Sequence, residues 1–153
     1  MTFPAGPYYP TNGLVAQAWL AQRVDGLAEG MVASTLPRET AAWAELGFVQ
    51  VTPVTGTPDV DLDVRHPLVQ VDCWAMTPNS VKPPRMKAHR LAELIRVATF
   101  EGARYSQPVT LPAAYAGAIV LSAYLNTEPA EVPDDPSGYA RVTFDLALDW
   151  VRA

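Results

Sequence analysis

The sequence predicts an α+β domain: a mostly antiparallel sheet of about five strands with two helices packed on one face. Three observations carry that expectation. The C-terminal segment YARVTFDLALDWV alternates without a break, Val142, Phe144, Leu146, Leu148 and Trp150 against Arg141, Thr143, Asp145, Ala147 and Asp149, which is the period of a strand with one buried face. The segment LVQVDCWAM, from Leu68 to Met76, reads as a second strand. From Arg85 to Phe100, RMKAHRLAELIRVATF puts Ala88, Leu91, Leu94, Ile95 and Ala98 on one side of a helix and Arg85, His89, Glu93 and Arg96 on the other, an amphipathic helix made to lie on a sheet.

The remaining elements follow from punctuation. Fifteen prolines in 153 residues fall between the periodic stretches and mark the connections. Asn12 is the expected N-cap of a first helix with Leu14, Val15, Ala18, Trp19 and Ala21 as its apolar stripe, ending near Asp25 and Gly26. Met31 to Leu36 reads as a short strand stopped by Pro37, and Thr40 to Leu46 as a brief helical turn closed by Gly47. A strand from Phe48 to Thr52 is expected to stop at Pro53, and 54–67 to form a long loop with strand character near its end. Pro84 suits the first turn of the second helix, where its missing donor costs nothing. Gln107 to Pro112 reads as a proline-bounded loop, Ala118 to Leu125 as a strand, and Asp134 to Gly138 as the turn into the last strand. The whole, 1–153, is expected to be one domain, with 1–11 as a candidate extended arm.

Composition excludes several classes. The single cysteine, Cys73, cannot form an internal bridge, and Val71 and Ala75 at strand spacing make it a small core residue. MTFPAGPYYP lacks the basic start and apolar core of a signal peptide, and no apolar run approaches the ~20 residues of a membrane span; the expectation is a protein that stays in the cytoplasm and contacts no membrane. With 16 acidic and 11 basic side chains the formal charge is −5, which argues against gripping nucleic acid.

No catalytic signature stands out. Asp59-Val-Asp61-Leu-Asp63 resembles the start of a calcium loop, but Val64 stands where glycine is needed and Gln70 where glutamate is. Val60, Leu62 and Val64 alternate with the acids, so an exposed edge with outward carboxylates is expected instead, and no metal. His66 and His89 have no second histidine or cysteine at ligand spacing. There is no G-x-S-x-G elbow, no G-x-G-x-x-G and no G-x-x-x-x-G-K, so neither a hydrolase nor a nucleotide cofactor is expected; the expectation is a protein without catalytic residues or cofactors. Trp19, Trp43, Trp74 and Trp150 at helix and strand spacing are expected to fill the core or an interface, while Tyr8 and Tyr9, outside any periodic segment, are the expected exposed pair. One charge asymmetry remains: Lys82, Arg85, Lys87, Arg90, Arg96 and Arg104 are six of the eleven basic residues within 23 positions, and Asp59, Asp61 and Asp63 cluster elsewhere. The pattern fits either a solvated helix face or a head-to-tail contact in which Arg85, Arg90 and Arg96 of one subunit meet Asp59, Asp61 and Asp63 of the next.

Through PLVQVDCWA from Pro67 to Ala75, the helix AHRLAELIRVA from Ala88 to Ala98, the final strand RVTFDLALDWV, the early helix and the hairpin-like FVQVTPV, the chain resembles the tail terminator, or tail completion, proteins of long-tailed bacteriophages. The resemblance spans most of the chain as pattern and order, without an invariant motif. It implies a small α+β structural protein of the virion, assembled in the host cytoplasm, that forms a hexameric ring on the last tail-tube ring, halts tube growth and presents a surface to the head–tail connector. Its partners would be copies of itself, the tube protein and the connector, with DNA passing through unbound; an acidic balance suits such a channel, because carboxylates repel phosphates. The alternatives are a head–tail joining or neck protein, a minor capsid protein and, in a different class, a small-molecule binding or hydrolytic domain built on the aromatic residues and His66.

Overall fold

The computed structural model describes residues 6–77, 83–101, 105–133 and 135–153. Lys82, Arg104, Asp134 and the first five residues of the candidate arm lie outside them. Two α-helices accompany a curled mixed sheet: α1 (Asn12–Arg23), β1 (Val32–Ala33), β2 (Phe48–Gly56), β3 (Val64–Arg65), β4 (Pro67–Ala75), α2 (Arg85–Ala98), β5 (Gln107–Val109), β6 (Ala118–Leu125), β7 (Ala130–Glu131) and β8 (Ala140–Arg152). The main path of the sheet runs β1-β2-β4-β8-β6-β5, with β3 and β7 also paired to β8. The expected mostly antiparallel sheet of about five strands proves larger and mixed: among the described residues it has eight strands, and β1 joins β2 in parallel while the other pairs are antiparallel. The additional strands are short; β3 and β7 have two residues each and β5 three, too few for any periodicity to register.

β8 organises the fold. It pairs with β4 along Ala140 to Ala147 and with β3 at Trp150 and Val151 on one side, and with β7 and β6 on the other. The register stacks Val51 beside Val71 beside Phe144, and Val49 beside Cys73 beside Val142, so one face of the sheet is continuously apolar. Both helices pack on that face: Val15, Ala16, Trp19 and Leu20 of α1 and Ala88, Leu91, Ala92 and Ile95 of α2 join the same core as the strands. All five apolar alternates expected of β8 are buried, and Ala147 of the other set is buried with them. Cys73 is buried among them, and burial pushes its thiol pKa well up.

The apolar stripe of α1 is rotated from the expected one. Leu14, Ala18 and Ala21 are only half-buried, and Ala16 and Leu20 take the core positions. The cause is tertiary: α1 touches β1 and β2 at one edge of the sheet and β5 at the other, so the sheet curls round the helix. Its C-terminal side chains complete the β5 edge. Gln22 donates to the Thr110 carbonyl (2.7 Å) and accepts from the Thr110 N–H (2.8 Å), as a neighbouring strand would, and Arg23 Nε donates to the Pro108 carbonyl (3.0 Å). The helix cap is Thr11, whose hydroxyl accepts the Leu14 N–H, and not Asn12; Asn12 instead accepts the Trp150 indole N–H.

Two expected breaks fail. Pro53 does not stop β2, which runs to Gly56; β1 covers only Val49 and Gln50, and the register shift between Pro53 and Thr55 is a place where a residue without an N–H costs the ladder little. The segment 107–112 is not wholly loop, because Gln107–Val109 pairs with β6. The strand expected from Met31 to Leu36 shrinks to two residues. The turn closed by Gly47 is present, as a 3-10 turn at Thr40–Ala42. Gly47 sits at φ +89°, and a Cβ there would come within 2.7 Å of Leu91 and 2.9 Å of the Trp74 carbonyl, so only glycine lets this loop pass beneath α2.

All four tryptophans are buried, and each indole N–H has an acceptor: Gln107 for Trp19, the Pro37 carbonyl for Trp43, Gln50 for Trp74 and Asn12 for Trp150. Trp43, Phe48 and Trp74 form a second small core on the opposite face of the sheet, with Tyr139 edge-on to Trp43 at 5.1 Å. Beside it Asp72, the one charged residue in the buried set, accepts from Arg141 Nε (3.0 Å) and Gln70 (3.0 Å). Burial works against the Arg141 charge, but Asp72 and Asp135 outweigh it and raise its pKa.

Candidate functional site

Two separate surfaces carry the residues singled out from the sequence. The first is the projecting segment between β2 and β3. Gly56, at φ +153° and packed against the His66 carbonyl, starts it, and β3 pins its exit to Val151 and Trp150, with the Arg65 guanidinium 5.9 Å from the Trp150 ring. Asp59 organises the tip: its Oδ1 accepts the N–H groups of Asp61 and Leu62, each at 2.9 Å, and those backbone donors hold its carboxyl below the ordinary carboxylate value. Asp59 is exposed like the other two acids, but its carboxylate turns back on its own loop, where alternation predicts an outward row of three. Asp61 and Asp63 do face solvent and have no side-chain partner among the described residues. Between them the tip exposes apolar surface, Val60 at 95% and Leu62 at 65%.

His66 ties this loop to the sheet. Its Nδ1 lies 2.6 Å from Asp149 Oδ1 on β8, its Nε2 lies 3.8 Å from Asp59, and Ser122 donates to the other Asp149 oxygen at 2.9 Å. The hydrogen bond to Asp149 raises the His66 pKa. Serine, aspartate and histidine thus meet in space, but in an order unlike a hydrolytic triad: the hydroxyl bonds the carboxylate instead of the imidazole, and the remaining ring nitrogen faces a carboxylate where a nucleophile would stand. The arrangement anchors a loop.

The second surface is the outer face of α2. Arg85 lies 4.0 Å from Glu131 on β7, and His89 Nε2 contacts the same carboxylate at 2.9 Å. Arg96 donates through Nε to Glu93 at 2.8 Å and lies over the Phe100 ring at 4.9 Å; its guanidinium holds the Glu93 carboxyl below the usual range. Lys87 donates to the Ala44 carbonyl. Arg90 is exposed without a partner among the described residues. Arg90 lines an open groove of about 640 Å³ with Met86, Lys87, His89, Glu93 and Pro129.

The tyrosines lie on neither surface. Tyr8 pairs its backbone with Ala114 and Ala116 and sets its ring edge-on to Tyr115 at 6.0 Å, and Tyr9 lies under the Arg152 guanidinium at 4.6 Å. Both are exposed, as expected, yet residues 6–10 of the candidate arm run along their own domain.

Among the described residues no group of three or more His, Cys, Asp or Glu is placed to hold a metal ion, and no helix is long and apolar enough to cross a membrane. Residues that sequence reasoning passed over are Met86, 83% exposed, and Asp149, read only as a polar alternate of β8. Met86 was legible as an apolar residue off the stripe of α2; the role of Asp149 depends on a pairing across 83 residues that no local pattern encodes. Set against protein-family models and curated proteins, the chain matches none.

Proposed function

We propose that this chain is a structural assembly protein without turnover, a tail-terminator-like subunit that forms a ring, the sixfold one the family resemblance implies, at the head-proximal end of a phage tail tube, stops tube growth and offers its free side to the head–tail connector. The observation that carries the reading is the placement of exposed apolar side chains. Val60 and Leu62 stand on one projecting segment and Met86 on a helix face, each with charged residues beside it, an arrangement that marks protein–protein contact. The net charge of −5 supports a channel through which DNA passes without sticking. No catalytic residue, cofactor or metal takes part.

Electron microscopy of the purified protein, alone and mixed with polymerised tail-tube protein of the same phage, tests the reading. Rings of uniform diameter capping tube ends are expected. Binding to a connector or capsid component but never to tubes would reassign the chain to the neck or the capsid, and protein that leaves tubes uncapped and unlengthened in every condition would overturn the terminator reading.

A further inference from the structure

The residues chosen from the sequence divide into those already used within the chain and those left over. Asp59, Arg85 and Arg96 are engaged with His66, Glu131 and Glu93. The side chains of Asp61, Asp63 and Arg90 are not engaged by any described residue. The unengaged acids alternate with Val60 and Leu62 on the loop tip, and the unengaged arginine sits with Lys87 beside Met86 in the α2 groove. Each surface is an exposed apolar centre with charge beside it, and the two charges are opposite.

We infer that the outer groove of α2 receives the Asp59–Asp63 loop of a second copy of this chain, Val60 and Leu62 seating on Met86 and Pro129 while Asp61 and Asp63 pair with Arg90, beside Lys87, whose ammonium already donates to the Ala44 carbonyl. The inference rests on the self-assembly reading above and names its contact. Three features support it. The loop arrives already shaped, since the Asp59 turn and the His66–Asp149 contact hold its tip, which lowers the ordering cost of binding. Loop and groove sit at opposite ends of β8: β3 at the loop exit pairs with Val151, whereas β7, whose Glu131 contacts His89 of α2, pairs with Thr143 and Val142. Eight residues of strand separate those points by about 25 Å, so loop and groove point to different neighbours, the head-to-tail arrangement that closes into a ring when the rotation permits. The sheet edges, finally, are poor sites for strand addition, because side chains of α1 cap β5 and Pro53 with its register shift interrupts β2.

Charge exchange tests this without disturbing the core, because every substituted residue is exposed. Light scattering at low salt is expected to show self-association of the wild type, weakened about tenfold or more by Asp61→Lys with Asp63→Lys, and likewise by Arg90→Glu. An equimolar mixture of the two variants, and the chain carrying all three substitutions, is expected to recover, since each then offers an opposite-sign pair. Val60→Ser, which leaves the charge unchanged, is expected to weaken association as well. Single exchanges that associate like the wild type, or a mixture that does not recover, overturn this contact and leave the ring proposal standing on other surfaces. A wild type that stays monomeric at every salt and never caps a tube overturns both.

Discussion

His66 is the residue on which the projecting loop depends, and its chemistry makes that dependence a function of pH. Its folded-state pKa is raised above the ordinary 6.5, chiefly by the hydrogen bond to Asp149, so its contribution to stability is complete below that value and is lost as pH rises through the raised one. Asp59 works in the opposite sense: its carboxyl is lowered by the Leu62 and Asp61 N–H groups, so its contribution is present above the ordinary carboxylate value and lost as pH falls through the lowered one. Denaturant midpoints for the wild type and His66→Gln are expected to differ most near pH 6 and to converge as pH rises through the raised histidine value; equal midpoints across that window would show that the clamp contributes nothing. Asp72 offers a second test. Asp72→Ala leaves Gln70 without an acceptor and Arg141 with Asp135 alone, an expected loss of about 1–3 kcal/mol in chemical denaturation.

The long elements were legible because local pattern and tertiary role agree in them. β8 buries the residues that its alternation nominates, and α2 buries Ala88, Leu91 and Ile95 of its expected stripe. Phe144→Ala is accordingly expected to cost about 3–5 kcal/mol, the range for emptying a packed aromatic site, measured by the same unfolding experiment. Where a segment is short or serves two neighbours, the pattern fails. β1, β3 and β7 exist only as partners of longer strands, and α1 turned its stripe to fill a curled sheet from both edges. The α1 cap moved by one residue for a related reason: Asn12 is drawn to Trp150 and Thr11 takes the Leu14 N–H. Thr11→Ala is expected to lower stability by about 1 kcal/mol, whereas Asn12→Ala acts by leaving a buried indole N–H unpaired.

For the whole molecule the prediction concerns association. If the loop of one copy meets the α2 groove of the next, raising ionic strength screens Asp61 and Asp63 from Arg90 and Lys87, so the mass measured by light scattering is expected to fall with salt while far-ultraviolet circular dichroism stays constant. A mass independent of salt would mean that charge does not set the contact. The candidate surfaces were half legible: the acidic run and the basic helix face can be read from the chain, but which charges remain available cannot, because Glu131, His66 and Asp149 reach Arg85, Asp59 and the loop only after folding.

By itself the sequence determined the α+β class, the long central strand, the amphipathic second helix, the burial of Cys73 and of the tryptophans, and the two charge clusters, since each is written in spacing over a few residues. The tertiary structure alone decided the curl of the sheet about α1, the parallel β1 pairing, the side-chain completion of the β5 edge and the division of the charged residues into engaged and available. Those depend on pairings between residues tens of positions apart, whose energies belong to the assembled core and to no single segment.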